Sequence, residues 1–172
     1  MNDNHFFSER FPTPIGTMLL LTDDDQNVRA LDWEDHEGRM HQLLRRQFGT
    51  VRLDVKDGVS PARRAVESYF EGVLAAIEAL PVRSAGTPFQ REVWAALRSI
   101  PAGETMSYGG LAVRLGRPKA MRAVGMANGS NSIGVIVPCH RVIGADLSLT
   151  GYGGGIERKR WLLRHEGAVF NA

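Results

Sequence analysis

The 172-residue sequence predicts an α/β domain at its N-terminal end and a mainly α domain, containing a helix-turn-helix, at its C-terminal end. Two observations support this fold class. Residues 1–80 carry short apolar runs between turns rich in Pro, Gly and Asp, which is typical of strands. Residues 87–172 carry apolar residues at helical spacing behind capping residues. Residues 81–86, which begin with Pro81 and end with Gly86, are the expected linker.

In the N-terminal domain, alternating turns and apolar runs predict four strands and two helices. A turn at 12–16, with the sequence PTPIG, separates the first two strands, and an Asp-rich turn at 23–27 precedes the third. Ser60 and Pro61 indicate a helix start, because serine caps a helix and proline is tolerated in its first turn. The predicted strands are 6–11, 17–22, 28–33 and 51–55, and the predicted helices are 39–48 and 61–70.

In the C-terminal domain, capping patterns mark the helix starts. Thr87 with Gln90 three residues later is a capping box ahead of a helix. Ser107 caps a short helix predicted at 108–115, and a second short helix is predicted at 119–128 after a Gly-containing turn. Two short helices around such a turn have the proportions of a helix-turn-helix, which unrelated helical hairpins share.

Charge is distributed unevenly along the chain. Residues 1–86 hold ten Lys/Arg and fourteen Asp/Glu, a net of −4, whereas residues 87–172 hold eleven and five, a net of +6. A basic half that faces a polyanion such as nucleic acid accounts for this asymmetry, and so does an ordinary solvated surface. Charge alone leaves both interpretations open.

The composition excludes several classes of protein. A single cysteine cannot form an internal disulfide or a multi-cysteine metal site, and the five histidines lack ligand-like spacing. We therefore expect no metal and no cofactor. No apolar run approaches the ~20 residues of a membrane span, and the first residues lack the charged-then-apolar pattern of a signal peptide. These features predict a cytoplasmic protein that does not interact with a membrane.

The single cysteine, Cys139, lies in an unusual setting. It follows an apolar, β-branched run at 133–137 that predicts a strand ending at Pro138. His140 and Arg141 come directly after it, and such neighbours favour the thiolate, which is the nucleophilic form. A lone cysteine is otherwise most often a small buried hydrophobe. The adjacent imidazole and guanidinium favour a chemical role.

An ordered set of motifs surrounds this cysteine. They are FQ-x-x-VW at 89–94, IP-x-GE at 100–104, RAVG at 122–125, PCHRV at 138–142, TGY at 150–152, WLL at 161–163 and HEG at 165–167. This set resembles the O6-alkylguanine-DNA alkyltransferases, and the likeness is dense from residue 87 to residue 167. The resemblance implies repair by irreversible, single-turnover transfer of an alkyl group from O6 of guanine, and we expect also from O4 of thymine, to Cys139. It also implies a ribonuclease-H-like N-terminal domain.

The resemblance assigns roles in the reactive centre. His140 acts as a base towards Cys139 through a water molecule, and Glu166 orients His140. Tyr108 donates a hydrogen bond and a proton to the extruded base, while Asn131 ties the recognition helix to the active-site turn. From the residues alone, Glu166 is equally a solvated helix-end residue and Tyr108 a half-buried amphipathic ring.

The resemblance also implies a base pocket. Tyr152, Gly153 and Gly154 form its wall, and the carbonyls of Cys139 and Val142 read the exocyclic amine of guanine. Many relatives have serine or alanine at the position of Gly153. Because glycine removes the side chain, we expect a roomier pocket that accepts alkyl groups larger than methyl.

The expected partner is double-stranded DNA that contains alkylated bases, bound by a monomer that can cluster along the duplex. By resemblance, the second short helix enters the minor groove, and Arg122 fills the space left by the flipped base. The small side chain of Ala123 allows close approach to DNA or, alternatively, to a neighbouring helix. Arg117 and Lys119 are candidates for phosphate contacts, which position a protein without reading sequence.

Three other functions are alternatives to repair. A thiol hydrolase or acyltransferase usually takes its histidine from elsewhere in the chain and has no use for a helix-turn-helix. A non-catalytic protein that binds alkyl lesions is the main alternative, but such relatives lack the cysteine. A regulator that binds duplex DNA needs a regulatory domain, and residues 1–80 do not provide one.

Overall fold

A computed structural model of the protein describes residues 4–171. The strands are β1 (His5–Thr13), β2 (Gly16–Thr22), β3 (Val28–Trp33), β4 (Arg52–Val55), β5 (Met106–Ser107) and β6 (Val142–Ile143). The helices are α1 (Glu37–Phe48), α2 (Pro61–Phe70), α3 (Pro88–Arg98), α4 (Tyr108–Arg114), α5 (Met121–Gly129) and α6 (Ile156–His165). Short 3-10 turns occur at Glu34–His36, Leu74–Ile77 and Cys139–Arg141. The chain divides into two compact units, one formed by residues 4–85 and 132–136 and the other by residues 86–131 and 137–171.

The first unit is built on a mixed four-stranded sheet in the order β3-β2-β1-β4. Strand β2 is antiparallel to both of its neighbours, and β4 runs parallel to β1. Helix α1 covers the sheet because its apolar residues recur at helical spacing and meet the apolar side chains of β1, β2 and β3. The core cluster consists of Phe6, Leu19, Leu21, Ala30, Met40 and Leu44.

A buried polar contact joins β1 to the start of α2. Ser60 caps α2 by accepting a hydrogen bond from the backbone N–H of Arg63 at 3.1 Å. The backbone N–H and hydroxyl of Ser60 donate to the two carboxylate oxygens of Glu9, at 2.8 and 2.5 Å. Glu9 and Ser60 are both buried, so these bonds compensate the carboxylate for its loss of water.

The second unit is mainly helical, with β5 and β6 forming one short parallel pair. Helix α3 begins with the complete capping box of Thr87 and Gln90, and it buries Val93 and Leu97. The indole N–H of Trp94 donates to the carbonyl of Ala127 at 2.9 Å, which joins α3 to α5. Between α4 and α5 the chain turns at Gly116, whose positive φ of 71° suits glycine.

Most of the predicted elements are present in the structure, with ends shifted by a few residues. The prediction of a strand over residues 133–137 is wrong. Ile133 makes only an isolated bridge with Leu31, and Val135 has a positive φ of 68°, which breaks an extended run. The second short helix begins at Met121, so Lys119 lies in the turn that precedes it. Helix α6 lies outside the predicted elements.

The domain ranges stay a prediction, but two segments behave differently from what the sequence pattern indicates. Residues 132–136 group with the first unit although they lie within the predicted C-terminal domain. Part of the expected linker is held against β3, because the N–H of Val28 donates to the carbonyl of Pro81 and the N–H of Arg83 donates to the carbonyl of Val28. Among the helices of residues 4–171, none combines the length and apolarity needed to cross a bilayer.

We predict that Ser60→Ala lowers the free energy of unfolding by about 1–3 kcal/mol, because the substitution removes a helix cap and one hydrogen bond to the buried Glu9 carboxylate. Urea unfolding followed by circular dichroism measures this change. The control is Ser99→Ala, an exposed serine whose hydroxyl donates to the carbonyl of Ala96 and accepts from the exposed Arg114. Because both bonds are exposed to solvent, we expect a change below about 0.5 kcal/mol. Equal effects of the two substitutions would contradict the role assigned to the Glu9 contact.

Candidate active site

Cys139 opens a tight 3-10 turn that directly precedes β6. Its backbone N–H donates to the carbonyl of Val137 at 2.8 Å, and the side-chain amide of Asn131 donates to the same carbonyl at 2.8 Å. The cysteine forms no disulfide and is only 7% exposed. Asn131 therefore connects the end of α5 to the turn that carries the thiol.

His140 is fully buried and held by Glu166. Its Nε2 lies 3.0 Å from each of the two carboxylate oxygens of Glu166. Its Nδ1 is buried and has no hydrogen-bond partner within residues 4–171. Glu166 lies at the C-terminal end of α6, so this contact joins residues separated by 26 positions in the chain.

Arg141 also binds the carboxylate of Glu166. Its Nε donates to Oε1 of Glu166 at 2.9 Å and its Nη2 donates to Oε2 at 2.8 Å, which is the bidentate geometry of a strong charge-assisted pair. Its Nη1 donates to the carbonyl of Ile100 at 2.6 Å, just beyond the end of α3. The pair is buried, so its electrostatic interactions are poorly screened.

These contacts determine the ionisation of the two titratable partners. Burial by itself raises the pKa of the Glu166 carboxyl, but the contacts with His140 and Arg141 outweigh it and hold that pKa far below the usual range. Burial lowers the pKa of His140 against the attraction of Glu166, and the positive charges of Arg141 and Lys159 lower it further. At neutral pH the imidazole is therefore neutral. Since Nε2 faces a carboxylate, it carries the hydrogen, which leaves Nδ1 as a basic lone pair.

Lys159 is a second cation in this region and is fully buried. Its ammonium donates to the carbonyl of Val142 at 2.6 Å and to the hydroxyl of Thr150 at 3.2 Å. Burial lowers the pKa of Lys159 to about 8, opposed by the attraction of a negatively charged Cys139. One lone pair of the Val142 carbonyl is thus already occupied, and the second lone pair is the one left for a ligand.

Tyr108, the first residue of α4, is connected to this lysine through Thr150. The phenolic oxygen lies 2.7 Å from the Thr150 hydroxyl oxygen. The ring lies against α5 at Gly125, where an added Cβ would be 3.7 Å from the ring. Tyr108 therefore lies next to α5 and is hydrogen-bonded to Thr150.

The predicted pocket wall forms a turn that leads into α6. The backbone N–H of Gly155 donates to the carbonyl of Tyr152 at 2.9 Å, and Gly155 adopts a positive φ of 97°. Gly154 is buried and its carbonyl accepts a hydrogen bond from Arg158 at 3.2 Å, while Gly153 is half-buried. Three consecutive glycines let this backbone lie close to another group without steric cost.

Helix α5 separates an exposed face from a buried one. Arg122 and Ala123 are exposed, whereas Ala127 is buried. Helix packing therefore accounts for Ala127 and not for Ala123. In the turn before α5, Lys119 is exposed, and Arg117 bonds to Glu92 at 3.1 Å.

The structure brings His140 and Glu166 together and adds two residues to which sequence reasoning assigned no role, Lys159 and Thr150. Arg141, expected to favour the thiolate, binds the Glu166 carboxylate. A signal for Lys159 existed in the helical spacing. Lys159, Leu162, Leu163 and Glu166 follow one another at intervals typical of one helix face, so two charged residues share an apolar stripe. Nothing in the spacing indicates that Thr150 lies beside Tyr108. Within residues 4–171, no three His, Cys, Asp or Glu side chains are grouped so that they could hold a metal ion.

The arrangement defines a class of protein. A free cysteine next to a neutral imidazole, whose far nitrogen is held by a buried carboxylate, is the arrangement of a cysteine nucleophile with an oriented base. No second cysteine is present to resolve a covalent adduct.

Comparison with known proteins narrows this class. A family model described as the DNA-binding domain of 6-O-methylguanine DNA methyltransferase matches residues 88–168. The methylated-DNA–protein-cysteine methyltransferase of Salmonella typhimurium is 49% identical over 161 residues, which cover 92% of this chain and 94% of that protein. The crystal structure of the Mycobacterium tuberculosis O6-methylguanine methyltransferase has a TM-score of 0.75 and 40% identity, covering 94% of this chain and 93% of the other.

A second crystal structure, of Mycobacterium tuberculosis OGT in complex with DNA, has a TM-score of 0.70 and 39% identity over 95% of this chain and 92% of the other. The chain belongs to the 6-O-methylguanine-DNA methyltransferase family. The resemblance found in the sequence motifs is thereby confirmed over nearly the whole chain.

We predict that Glu166→Gln lowers the free energy of unfolding at pH 7 by about 3–5 kcal/mol, because it leaves the buried Arg141 guanidinium without its counter-ion. The folded-state pKa of Glu166 lies below the ordinary 4.5, so its stabilisation is present above about pH 4.5 and is lost as the pH falls through the folded-state value. The variant will therefore lose less stability than the wild type between pH 7 and about pH 3. Urea unfolding at both pH values measures the difference.

The matched control is Glu157→Gln, an exposed glutamate on the same helix that pairs with Arg160. We expect this substitution to change the unfolding free energy by no more than about 0.5 kcal/mol. An equally small effect of Glu166→Gln, or an unchanged dependence on acid, would contradict the assigned ionisation.

Proposed function

We propose that this protein repairs DNA by transferring an alkyl group from O6-alkylguanine in duplex DNA to Cys139. The transfer is irreversible, so each molecule acts once as a methylated-DNA–protein-cysteine S-methyltransferase. The observation that carries the proposal is the buried contact of His140 with Glu166 next to a free thiol. The Salmonella typhimurium relative, which is 49% identical over 94% of its own length, has a name that states the same activity.

Formation of the thiolate is the first step. His140 is neutral and its Nδ1 lone pair has no partner within residues 4–171, so it accepts the thiol proton through a bridging water molecule. The imidazolium that results lies against the Glu166 carboxylate, which stabilises the positive charge. The ammonium of Lys159 attracts the negative charge of Cys139. Both interactions increase the fraction of the nucleophilic form.

Alkyl transfer is the second step. The thiolate sulfur attacks the alkyl carbon, a sulfur–carbon bond forms, and the bond between that carbon and O6 breaks. The electron pair of the broken bond stays on the guanine, which takes a proton from the hydroxyl of Tyr108. The thioether on Cys139 cannot be reduced as a disulfide can, and this explains the single turnover.

Several features support extrusion of the damaged base by the helical part of the molecule. We assign α4 and α5, joined by the turn at Gly116, to a helix-turn-helix that binds in the minor groove. Exposed Arg122 enters the duplex and stacks in the space left by the base, and Ala123 allows the helix backbone to come close. Exposed Lys119 contacts a DNA phosphate. Arg117 can contact a phosphate only after it breaks its ion pair with Glu92.

The extruded base occupies a pocket bounded by Tyr152, Gly153 and Gly154. The carbonyls of Cys139 and Val142 accept hydrogen bonds from its exocyclic amine, and the glycine at 153 leaves room for alkyl groups larger than methyl. O4-alkylthymine is a second expected substrate. The ribonuclease-H-like fold implied for the first unit is supported by its mixed sheet, in which β4 is parallel to β1.

The first test is intact mass before and after incubation with duplex DNA that carries one O6-methylguanine. We expect wild-type protein to gain one methyl group in place of a proton, mapped to the peptide that contains Cys139, and Cys139→Ser to gain none. Binding to the damaged duplex without a change in mass would instead identify a non-catalytic lesion-binding protein.

We predict that Arg122→Ala slows single-turnover transfer from duplex DNA by roughly tenfold or more, because extruding a base costs a few kcal/mol that Arg122 offsets. Reaction with the free base O6-benzylguanine needs no extrusion and will keep its wild-type rate. Rapid-quench kinetics on the two substrates separates these effects. Arg91→Ala, which removes an exposed arginine of α3, is the control for loss of positive charge, and equal slowing by both variants would contradict the intercalating role.

A further inference from the structure

A continuous set of hydrogen bonds leads from a buried cation to the proton donor of the proposed reaction. Lys159 donates to the Val142 carbonyl at 2.6 Å and to the Thr150 hydroxyl at 3.2 Å. The Thr150 hydroxyl oxygen lies 2.7 Å from the phenolic oxygen of Tyr108. Lys159 is fully inaccessible to solvent, which is a rare fate for lysine outside functional contacts.

The direction of these bonds follows from the chemistry of each group. A lysine ammonium only donates, so it occupies one lone pair of the Thr150 hydroxyl oxygen. Within residues 4–171 the Thr150 side chain has two partners, Lys159 and Tyr108. Among the described residues, the phenolic oxygen of Tyr108 is the one acceptor within reach of the Thr150 hydroxyl hydrogen, which favours Thr150 as the donor of this bond. When Thr150 donates to Tyr108, the phenolic hydrogen of Tyr108 is left to donate elsewhere.

We propose that Lys159 and Thr150 are positioning residues that direct the Tyr108 hydroxyl hydrogen at the extruded base and stabilise the phenolate left when that hydrogen departs. This inference rests on the proposed alkyl transfer, in which Tyr108 supplies the proton. Neither Thr150 nor Lys159 touches the base. Both act through Tyr108.

Protons and charges balance in the transfer step. As the bond between the alkyl carbon and O6 breaks, the electron pair remains on the guanine and the Tyr108 O–H bond transfers its proton to a ring nitrogen of that guanine. The product base is neutral and Tyr108 becomes a phenolate. Thr150 then donates to a full negative charge, and Lys159, which is hydrogen-bonded to Thr150, carries the compensating positive charge. Charge-assisted bonds of this kind are stronger than neutral ones.

The same cation is coupled to the thiol. Lys159 interacts electrostatically with Cys139 and His140, and it is connected to Tyr108 through the hydroxyl of Thr150. Before transfer the ammonium attracts the thiolate of Cys139. After transfer that charge is gone from sulfur, and the ammonium is opposite the new phenolate. One buried positive charge thus balances a negative charge at both stages.

Because Thr150 is half-buried, it can be altered with less risk to folding than Lys159. Thr150→Val keeps the shape and removes the hydroxyl, whereas Thr150→Ser keeps the hydroxyl. The experiment measures the single-turnover rate of methyl transfer from O6-methylguanine duplex DNA for the wild type and both variants between pH 6 and about pH 9.5. Alkylation of Cys139 by iodoacetamide is measured in parallel, because iodide leaves without a proton.

We expect Thr150→Val to slow methyl transfer roughly tenfold to hundredfold at pH 7, in the range of general-acid effects. Its reaction with iodoacetamide will match the wild type, and Thr150→Ser will restore methyl transfer. The ratio of the wild-type rate to the Thr150→Val rate will fall as the pH rises past about 8, where Lys159 loses its charge.

Three results would overturn the proposal: equal methyl transfer by Thr150→Val and wild type, equal slowing of both reactions, or a ratio of rates that does not depend on pH. The second of these indicates a disturbed fold around Cys139. Failure of the wild type itself to transfer the methyl group, with normal reaction towards iodoacetamide, would overturn the proposed function and this inference with it.

Discussion

The active-site turn depends on a carboxylate that is buried and fully compensated. Both oxygens of Glu166 are removed from water, which would be very unfavourable without partners. His140 and Arg141, adjacent in sequence, supply the N–H groups that satisfy them. Arg141 also bonds to the carbonyl of Ile100, so the segment after α3, the turn of Cys139 and the end of α6 are held together. This network sets which nitrogen of His140 carries hydrogen.

Burying a cluster of charged side chains in a small helical unit costs free energy. Apolar side chains in place of a buried ion pair are often as stable or more stable, so stability alone does not explain why Lys159, Arg141 and Glu166 are buried here. The proposed reaction explains their arrangement. A neutral base is next to the thiol in sequence, and a cation is linked through Thr150 to the hydroxyl of Tyr108. The low exposure of Cys139 limits its reaction with other electrophiles.

Under the proposed function, helix α5 serves DNA recognition on one side and supports the reactive turn on the other. The buried side of α5 packs through Val124 and Ala127, while its exposed side presents Arg122 and Ala123. At its C-terminal end, Asn131 donates to the carbonyl of Val137 in the turn before Cys139. Asn128 also donates to the carbonyl of Cys139 at 3.5 Å, so two asparagine side chains connect α5 and the residues after it to the backbone that carries the thiol.

The sequence by itself determined the class of the fold, most of its strands and helices, and the candidate nucleophile. Apolar spacing, caps and turn residues act over a few positions, and the motifs around Cys139 are local. The sequence did not determine the run at 133–137, whose β-branched residues favour a strand. There the N–H of Ile136 donates to the carbonyl of Gly134 at 2.7 Å, which closes a turn with Val135 at positive φ. Only the tertiary structure decided two sets of contacts. These are the bidentate contact of Arg141 with Glu166 and the hydrogen bonds that connect Lys159 through Thr150 to Tyr108. Such contacts join residues far apart in the chain, and their distances and ionisation depend on how the helices pack and exclude water.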